Sequence, residues 1–79
     1  MIETYTLVEC TVEFLDGSTK ILSPTIYEIS VWASSSHDKQ LSAINFLRDG
    51  NKNINKITVN DVYYFQTKED YLKYLKSIE

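Results

Sequence analysis

Few residues of this chain could take part in chemistry, and one run holds most of them: Ser34-Ser35-Ser36-His37-Asp38. A hydroxyl, an imidazole and a carboxylate are the groups of a nucleophilic hydrolase. Catalytic triads, however, converge from separate elements, because neighbours in sequence rarely meet in the required geometry. Serine also favours the helix N-cap, where its oxygen accepts a bond from a first-turn amide. Ser36, His37 and Asp38 are therefore expected to open a helix rather than to catalyse. The single cysteine, Cys10, alternates with Val8, Val12 and Phe14 and has no histidine near it in sequence. A buried thiol acting as a small hydrophobe is the expectation there. Asp49-Gly50-Asn51-Lys52-Asn53 copies the first, third and fifth positions of a calcium loop. Ile54 stands where that loop needs glycine, and Asn60 where it needs a bidentate carboxylate, so the motif fails. With one histidine and one cysteine, no zinc constellation is available. No catalytic residue, metal or cofactor is expected, and the chain reads as non-enzymatic.

Two surfaces remain as binding candidates. The first is the outward face of the N-terminal segment, where Glu3, Tyr5, Leu7, Glu9, Thr11 and Glu13 alternate. Carboxylates interleaved with an aromatic and an aliphatic residue suit steered contact with a protein carrying a basic surface. Its partner-binding residues would be Glu3, Tyr5, Leu7, Glu9 and Glu13. The competing expectation is an ordinary solvated sheet face, or one on which a helix buries Tyr5 and Leu7. The second candidate is a basic, amide-rich loop of Arg48, Asn51, Lys52, Asn53 and Lys56. Such a loop could touch phosphates and base edges, but a solvated connection between elements is the simpler reading. The six tyrosines are expected at the boundary of a small core, with the ring buried and the hydroxyl wet.

These residues must be positioned by local structure that the sequence partly specifies. Residues 2–15 alternate as a strand, and Asp16-Gly17 offers the two-residue loop of a type I′ hairpin. A tight turn would set Phe14 against Thr19, Glu13 against Lys20 and Val12 against Ile21. Ser23-Pro24 then interrupts the second arm, since proline cannot donate to a ladder. Residues 25–34 carry both a helix capping-box spacing and a run of β-branched and aromatic residues. The alternation of Tyr27, Ile29, Val31 and Ala33 favours a strand, either a kinked continuation or a third strand. Ser34–Ser36 offers an N-cap for a helix over about 37–49, with Leu41, Ala43, Ile44 and Leu47 inward and Gly50 at its C-cap. Residues 56–66 are β-rich, with a bulge or turn at Asn60-Asp61. Thr67 caps a final helix whose stripe is Tyr71, Leu72, Leu75 and Ile78, with Glu69 and Asp70 in its first turn. The expected fold is a small single α+β domain over residues 1–79: an antiparallel sheet of three to four strands with two helices, ordered β-β(-β)-α-β-α.

Bulk properties narrow the function further. Seventy-nine residues make one domain that buries only about 60% of its unfolded surface. A lone cysteine forms no intramolecular disulfide, so stability rests on an apolar fraction of 43%, with homo-oligomerisation as the remaining way to bury more surface. A net charge of −3 disfavours nucleic acid as a partner, because phosphate neutralisation needs clustered bases. Neither a signal peptide nor a ~20-residue apolar span is legible, which gives the expectation of a cytoplasmic protein without membrane contact. Frequent Asn, Lys, Ile and Tyr suit an AT-rich coding genome, such as a bacterium or its phage. The functional expectation is a protein-binding module, an inhibitor or adaptor encoded by a phage or mobile element and acting on a host protein. The alternative is a nucleic-acid-binding accessory protein using the 48–56 loop.

Overall fold

A computed structural model describes residues 2–30 and 35–78, with the side chains of Ile2 and Ser30 left out. Over the described residues the chain is an α+β protein with four antiparallel strands and two helices, ordered β1(Ile2–Phe14), β2(Thr19–Leu22), β3(Thr25–Ser30), α1(Ser36–Gly50), β4(Ile54–Phe65) and α2(Lys68–Ser77). Val31, Trp32, Ala33 and Ser34, for which a strand and a cap were expected, lie outside the described residues.

β1 is the central strand. One of its edges pairs with β2 and then β3, and the other pairs with β4 along ten residue positions. The partners Cys10–Leu22, Leu7–Thr25 and Ile2–Ser30 keep one register throughout, so β2 and β3 are two halves of a single hairpin arm. Pro24 explains the gap between them. Val8 N–H still donates to the Pro24 carbonyl at 3.0 Å, but Pro24 has no N–H to return to the Val8 carbonyl. The buried Cys10 thiol donates to that carbonyl instead, at 3.7 Å. The thiol is thus a core hydrophobe that also supplies a weak donor where the ladder loses one.

The hairpin turn differs from the expected two-residue loop. Phe14 N–H donates to Ser18 O at 2.9 Å and Gly17 N–H to Phe14 O at 3.0 Å, so three residues, Leu15, Asp16 and Gly17, form the connection. Of these three residues only Gly17 takes a positive φ, at 89°. A type I′ turn needs positive φ at both central residues, whereas a type I turn closed by a left-handed glycine needs it once. Asp16 fixes this choice by accepting from Ser18 N–H at 2.9 Å and Ser18 Oγ–H at 2.6 Å, contacts that lower its pKa. The register therefore shifts by one from that expected: Glu13 faces Thr19, Val12 faces Lys20, and Thr11 faces Ile21. A one-residue shift exchanges the faces of a strand. Leu22 packs on the core, and Ile21 stands 62% exposed on the opposite face.

The even-numbered side chains of β1 form the core face. Val8, Cys10 and Val12 are fully buried there, joined by Ala43 and Leu47 of α1 and by Ile54. Ser35 caps α1 by accepting from Asp38 N–H at 3.1 Å. The helix ends later than its glycine suggested: Gly50 is its last residue and Asn51, with an extended backbone, is the C-cap. Leu41, expected inward, is exposed on the far side from Ala43 and Leu47. Lys39 is buried instead, with its ammonium 4.6 Å from the centre of the Tyr64 ring. β4 carries two bulges, one between the partners of Glu9 and Cys10 at Asn60, as expected, and another between the partners of Glu13 and Phe14 at Asn55. Thr67 caps α2 by accepting from Asp70 N–H at 3.2 Å.

Two substitutions test this geometry. Gly17→Val should destabilise by about 1–2 kcal/mol, because the left-handed region disfavours a branched side chain. Gly50→Ala meets open space within a helix and should be neutral or stabilising by up to about 1 kcal/mol. The urea midpoint of Gly17→Val should fall by the equivalent of at least about 1 kcal/mol, while that of Gly50→Ala holds or rises. A third substitution concerns the core face, where the buried hydroxyls of Thr4 and Thr6 lack hydrogen-bond partners among the described residues. Thr6→Val should raise stability by about 1 kcal/mol, since it removes a desolvated polar atom at nearly constant shape. A fall in the thermal midpoint would show that the hydroxyl is satisfied.

Candidate functional site

The odd-numbered face of β1 carries all the residues of the acidic strand candidate, and the structure divides that face into two unequal parts. Over residues 3–7 it is covered. α2 lays Tyr71 and Tyr74 against it, and a continuous run of rings results: Tyr27 to Tyr5 at 5.0 Å between centres, Tyr5 to Tyr71 at 5.2 Å and nearly parallel, Tyr71 to Phe65 at 5.9 Å, Phe65 to Tyr74 at 5.4 Å, and Tyr74 to Tyr63 at 4.9 Å. Tyr rather than Phe suits this layer because each hydroxyl can reach a polar neighbour. Tyr5 O–H donates to Glu3, Tyr71 and Thr25 share a hydroxyl–hydroxyl bond of 2.8 Å, and Tyr63 O–H donates to Asp61 at 3.3 Å.

Tyr5 and Leu7 are consequently buried under this layer, as in the competing expectation of a helix-covered face, and are not the surface anchors that the binding reading requires. The reason is packing: with α1 occupied on the even face, α2 buries its own aromatic residues on the odd one. Its inward residues are Tyr71, Tyr74 and Leu75, while Leu72 and Ile78, expected in that stripe, are exposed. Glu3 is exposed at the margin of the covered part and is engaged by Tyr5.

Over residues 9–13 the odd face is a polar surface. Glu9, Thr11 and Glu13 are half-buried in the middle row, and β4 sets Asp61, Thr58 and Lys56 directly beside them. Both bulge residues turn their amides onto this row: Asn60 Nδ2 donates to Thr11 Oγ1 at 2.7 Å, and Asn55 Nδ2 donates to Glu13 Oε2 at 2.9 Å. Glu13 thus faces a lysine and accepts an amide bond. Glu9 faces Asp61, and like charges placed directly opposite in a ladder oppose folding. On the other side of the row, Ile21 supplies the one large exposed aliphatic group, opposite Thr11.

Sequence reasoning found Glu9 and Glu13, assigned Lys56 to the basic loop and not to this row, and missed Asp61 and Ile21. The alternation break at Asn60-Asp61 was the available signal. With the strands paired antiparallel across that bulge, it would have set an acid opposite Glu9.

The remaining candidates fare differently. Arg48, Asn51, Lys52, Asn53 and Lys56 do not form one free basic loop: Lys56 sits in β4 opposite Glu13, and the Asn51 amide donates to the Leu47 carbonyl at 3.2 Å. Asn53 anchors the loop through its carbonyl, which accepts from Leu15 N–H at 2.7 Å. Ser36, His37 and Asp38 lie exposed in the first turn of α1, and Ser36 Oγ accepts from Gln40 rather than contacting His37. Among the described residues, no three carboxylate, thiol or imidazole side chains come together as a metal site. No described helix is long and apolar enough to cross a membrane. Comparison with protein-family models, with curated proteins and with solved structures finds no match for this chain.

The covered part of the face has a titration signature. The bond that Tyr5 donates to Glu3, followed by burial and the Glu3 charge, raises its hydroxyl from 10.0 to about 12. Tyr63 is raised to about 12 by its hydrogen bond with Tyr74, by burial and by Asp61. Tyr27 is also raised, first by desolvation and then by the charge of Glu3. A pKa above the unfolded value favours folding while the group stays protonated. That contribution is present below the unfolded pKa near 10 and is lost as pH rises towards 12. Urea midpoints should therefore hold up to that lower limit and fall steeply above it. A Tyr5→Phe, Tyr63→Phe double variant should show a shallower alkaline fall, and an unchanged slope would contradict the assigned contacts.

Proposed function

We propose that this chain is a non-enzymatic protein-binding module that docks a partner with a basic surface on the open part of its odd sheet face. The observation that carries this reading is the register that sets Glu9 directly opposite Asp61, two acids for which no ion pair is found among the described residues. Asp61 accepts from Tyr63 O–H, but setting it opposite Glu9 costs the fold, since like charges in register weaken a sheet. A cationic partner would relieve the repulsion on docking, so part of its binding energy would come from relaxing the free protein. Glu13 extends the negative row, and Ile21 offers an apolar contact beside it. The small size and acidic balance suit an inhibitor or adaptor encoded by a phage or mobile element and acting inside a host cell.

The test begins with capture from host lysate by the wild-type chain and by a Glu9→Gln, Glu13→Gln, Asp61→Asn variant. A protein retained by the first and lost by the second is then measured by surface plasmon resonance at two salt concentrations. The triple variant should associate at least about tenfold more slowly at low salt, as loss of electrostatic steering does. Its stability should stay close to that of wild type, since loss of the Glu13–Lys56 pairing offsets relief of the Glu9–Asp61 repulsion. Ile21→Ala should instead speed dissociation. Unchanged kinetics for both variants would remove the open face from the reading. Binding of a labelled oligonucleotide that weakens on Arg48→Gln and Lys52→Gln would favour the loop in its place.

A further inference from the structure

The molecule has two apolar layers that share a sheet but no side chains. The even layer, of Val8, Cys10, Val12, Ala43, Leu47 and Ile54, contains no residue of α2. The odd layer is closed by α2, and none of that helix's described residues is buried. α2 is held by the rings of Tyr71 and Tyr74, by half-buried Leu75 and by the Thr25–Tyr71 and Tyr63–Tyr74 hydroxyl bonds. Its length is 10 residues. Isolated helices shorter than about 12–15 residues are marginal in water, so an undocked α2 would not persist as a helix.

From this we infer that α2 is a displaceable cover: it undocks and melts as one unit while the sheet and α1 stay folded. Opening uncovers Tyr5, Leu7, Tyr63 and Phe65, which lie directly beside Glu9 and Asp61 in the same rows. The acidic open face then continues into an aromatic one. Resting on the docking reading above, this makes α2 an autoinhibitory element that hides the apolar half of the partner surface until it is displaced. Segments that open at low free energy are those with few buried contacts, and such segments commonly move in binding.

Amide hydrogen exchange on the full chain tests the opening without any partner, so its outcome is independent of whether the acidic face binds anything. Amides of α2 from Leu72 to Lys76 should exchange at least about 100-fold faster, relative to their intrinsic rates, than those of Val8 and Val12. They should also depend less steeply on added urea than the Val8 and Val12 amides do, because opening exposes only one layer and global unfolding exposes both.

Ile54→Val supplies the sharper test. Ile54 belongs to the even layer, which stays packed when α2 opens, so this change weakens the closed and open forms equally. Val8 and Val12 amides should exchange about 2–10-fold faster in that variant while α2 amides keep their wild-type rates. Tyr71→Phe destabilises only the closed form and should accelerate both sets together. If α2 amides follow Val8 and Val12 in step in the Ile54→Val variant, α2 belongs to the global folding unit and the cover does not exist.

Discussion

Everything in this structure depends on β1 being satisfied on both edges and both faces at once. A 13-residue strand placed centrally has to find partners for its outward-pointing amides and carbonyls on either side. The register it shares with β2 and β3 survives a proline in the partner arm because the loss is one-sided. Pro24 still accepts from Val8, and only the return bond is missing. Cys10 sits two residues on, on the same face, where its thiol reaches the abandoned carbonyl. A valine there would pack as well but could donate nothing. The role of Cys10 is thus structural, set by where Pro24 falls on the neighbouring strand, and burial pushes its thiol pKa up accordingly.

How far the sequence discloses this arrangement varies by element. The alternation of Val8, Cys10, Val12 and Phe14 is legible because a half-buried strand demands period two, and the structure keeps all four on one face. Thr67 as a cap and Asn60 as a bulge are legible for similarly local reasons. The hairpin register is not, because Asp-Gly serves both a two-residue and a three-residue loop. What selected the shorter loop in the sequence was the pairing of Glu13 with Lys20, an argument that considers only two strands. In the folded sheet Glu13 has a basic neighbour from the other edge, Lys56, so charge pairing is satisfied without Lys20. Gly50 misleads in a related way: glycine after an amphipathic run suggests a left-handed cap, yet nothing obliges the chain to use it so. The helix runs one residue further and ends on Asn51, whose N–H reaches Arg48 O.

Of the acidic strand face, the sequence disclosed the row but not its two environments. Which helix covers which face is a tertiary outcome, decided by where each helix buries its own apolar stripe. Tyr71 and Tyr74 are three residues apart and fall on one side of α2, so they dock as a pair. Tyr5 and Leu7 then become core, while Glu9 and Glu13, members of the same alternating row, remain on the surface. The six tyrosines are a boundary population, as composition suggested, but five of them gather in one layer instead of spreading round the core.

The division of the odd face follows from lengths. A strand of 13 residues extends about 43 Å at ~3.3 Å per residue, close to the 42 Å long axis of the molecule. A helix of 10 residues is about 15 Å long at ~1.5 Å per residue. No placement of α2 along β1 can cover more than part of that strand, so some of the odd face must meet solvent whatever its sequence. Solubility requires only that the remainder be polar, and threonine, lysine or alternating charges would serve. Thr11 beside Thr58 and Glu13 beside Lys56 are such choices. Glu9 beside Asp61 is not: it meets the demand for polarity with a repulsion that the neighbouring pairs avoid. Geometry therefore accounts for an open polar face and the Tyr63 bond for an acceptor at position 61, and the acid at position 9 opposite it is the feature that neither explains.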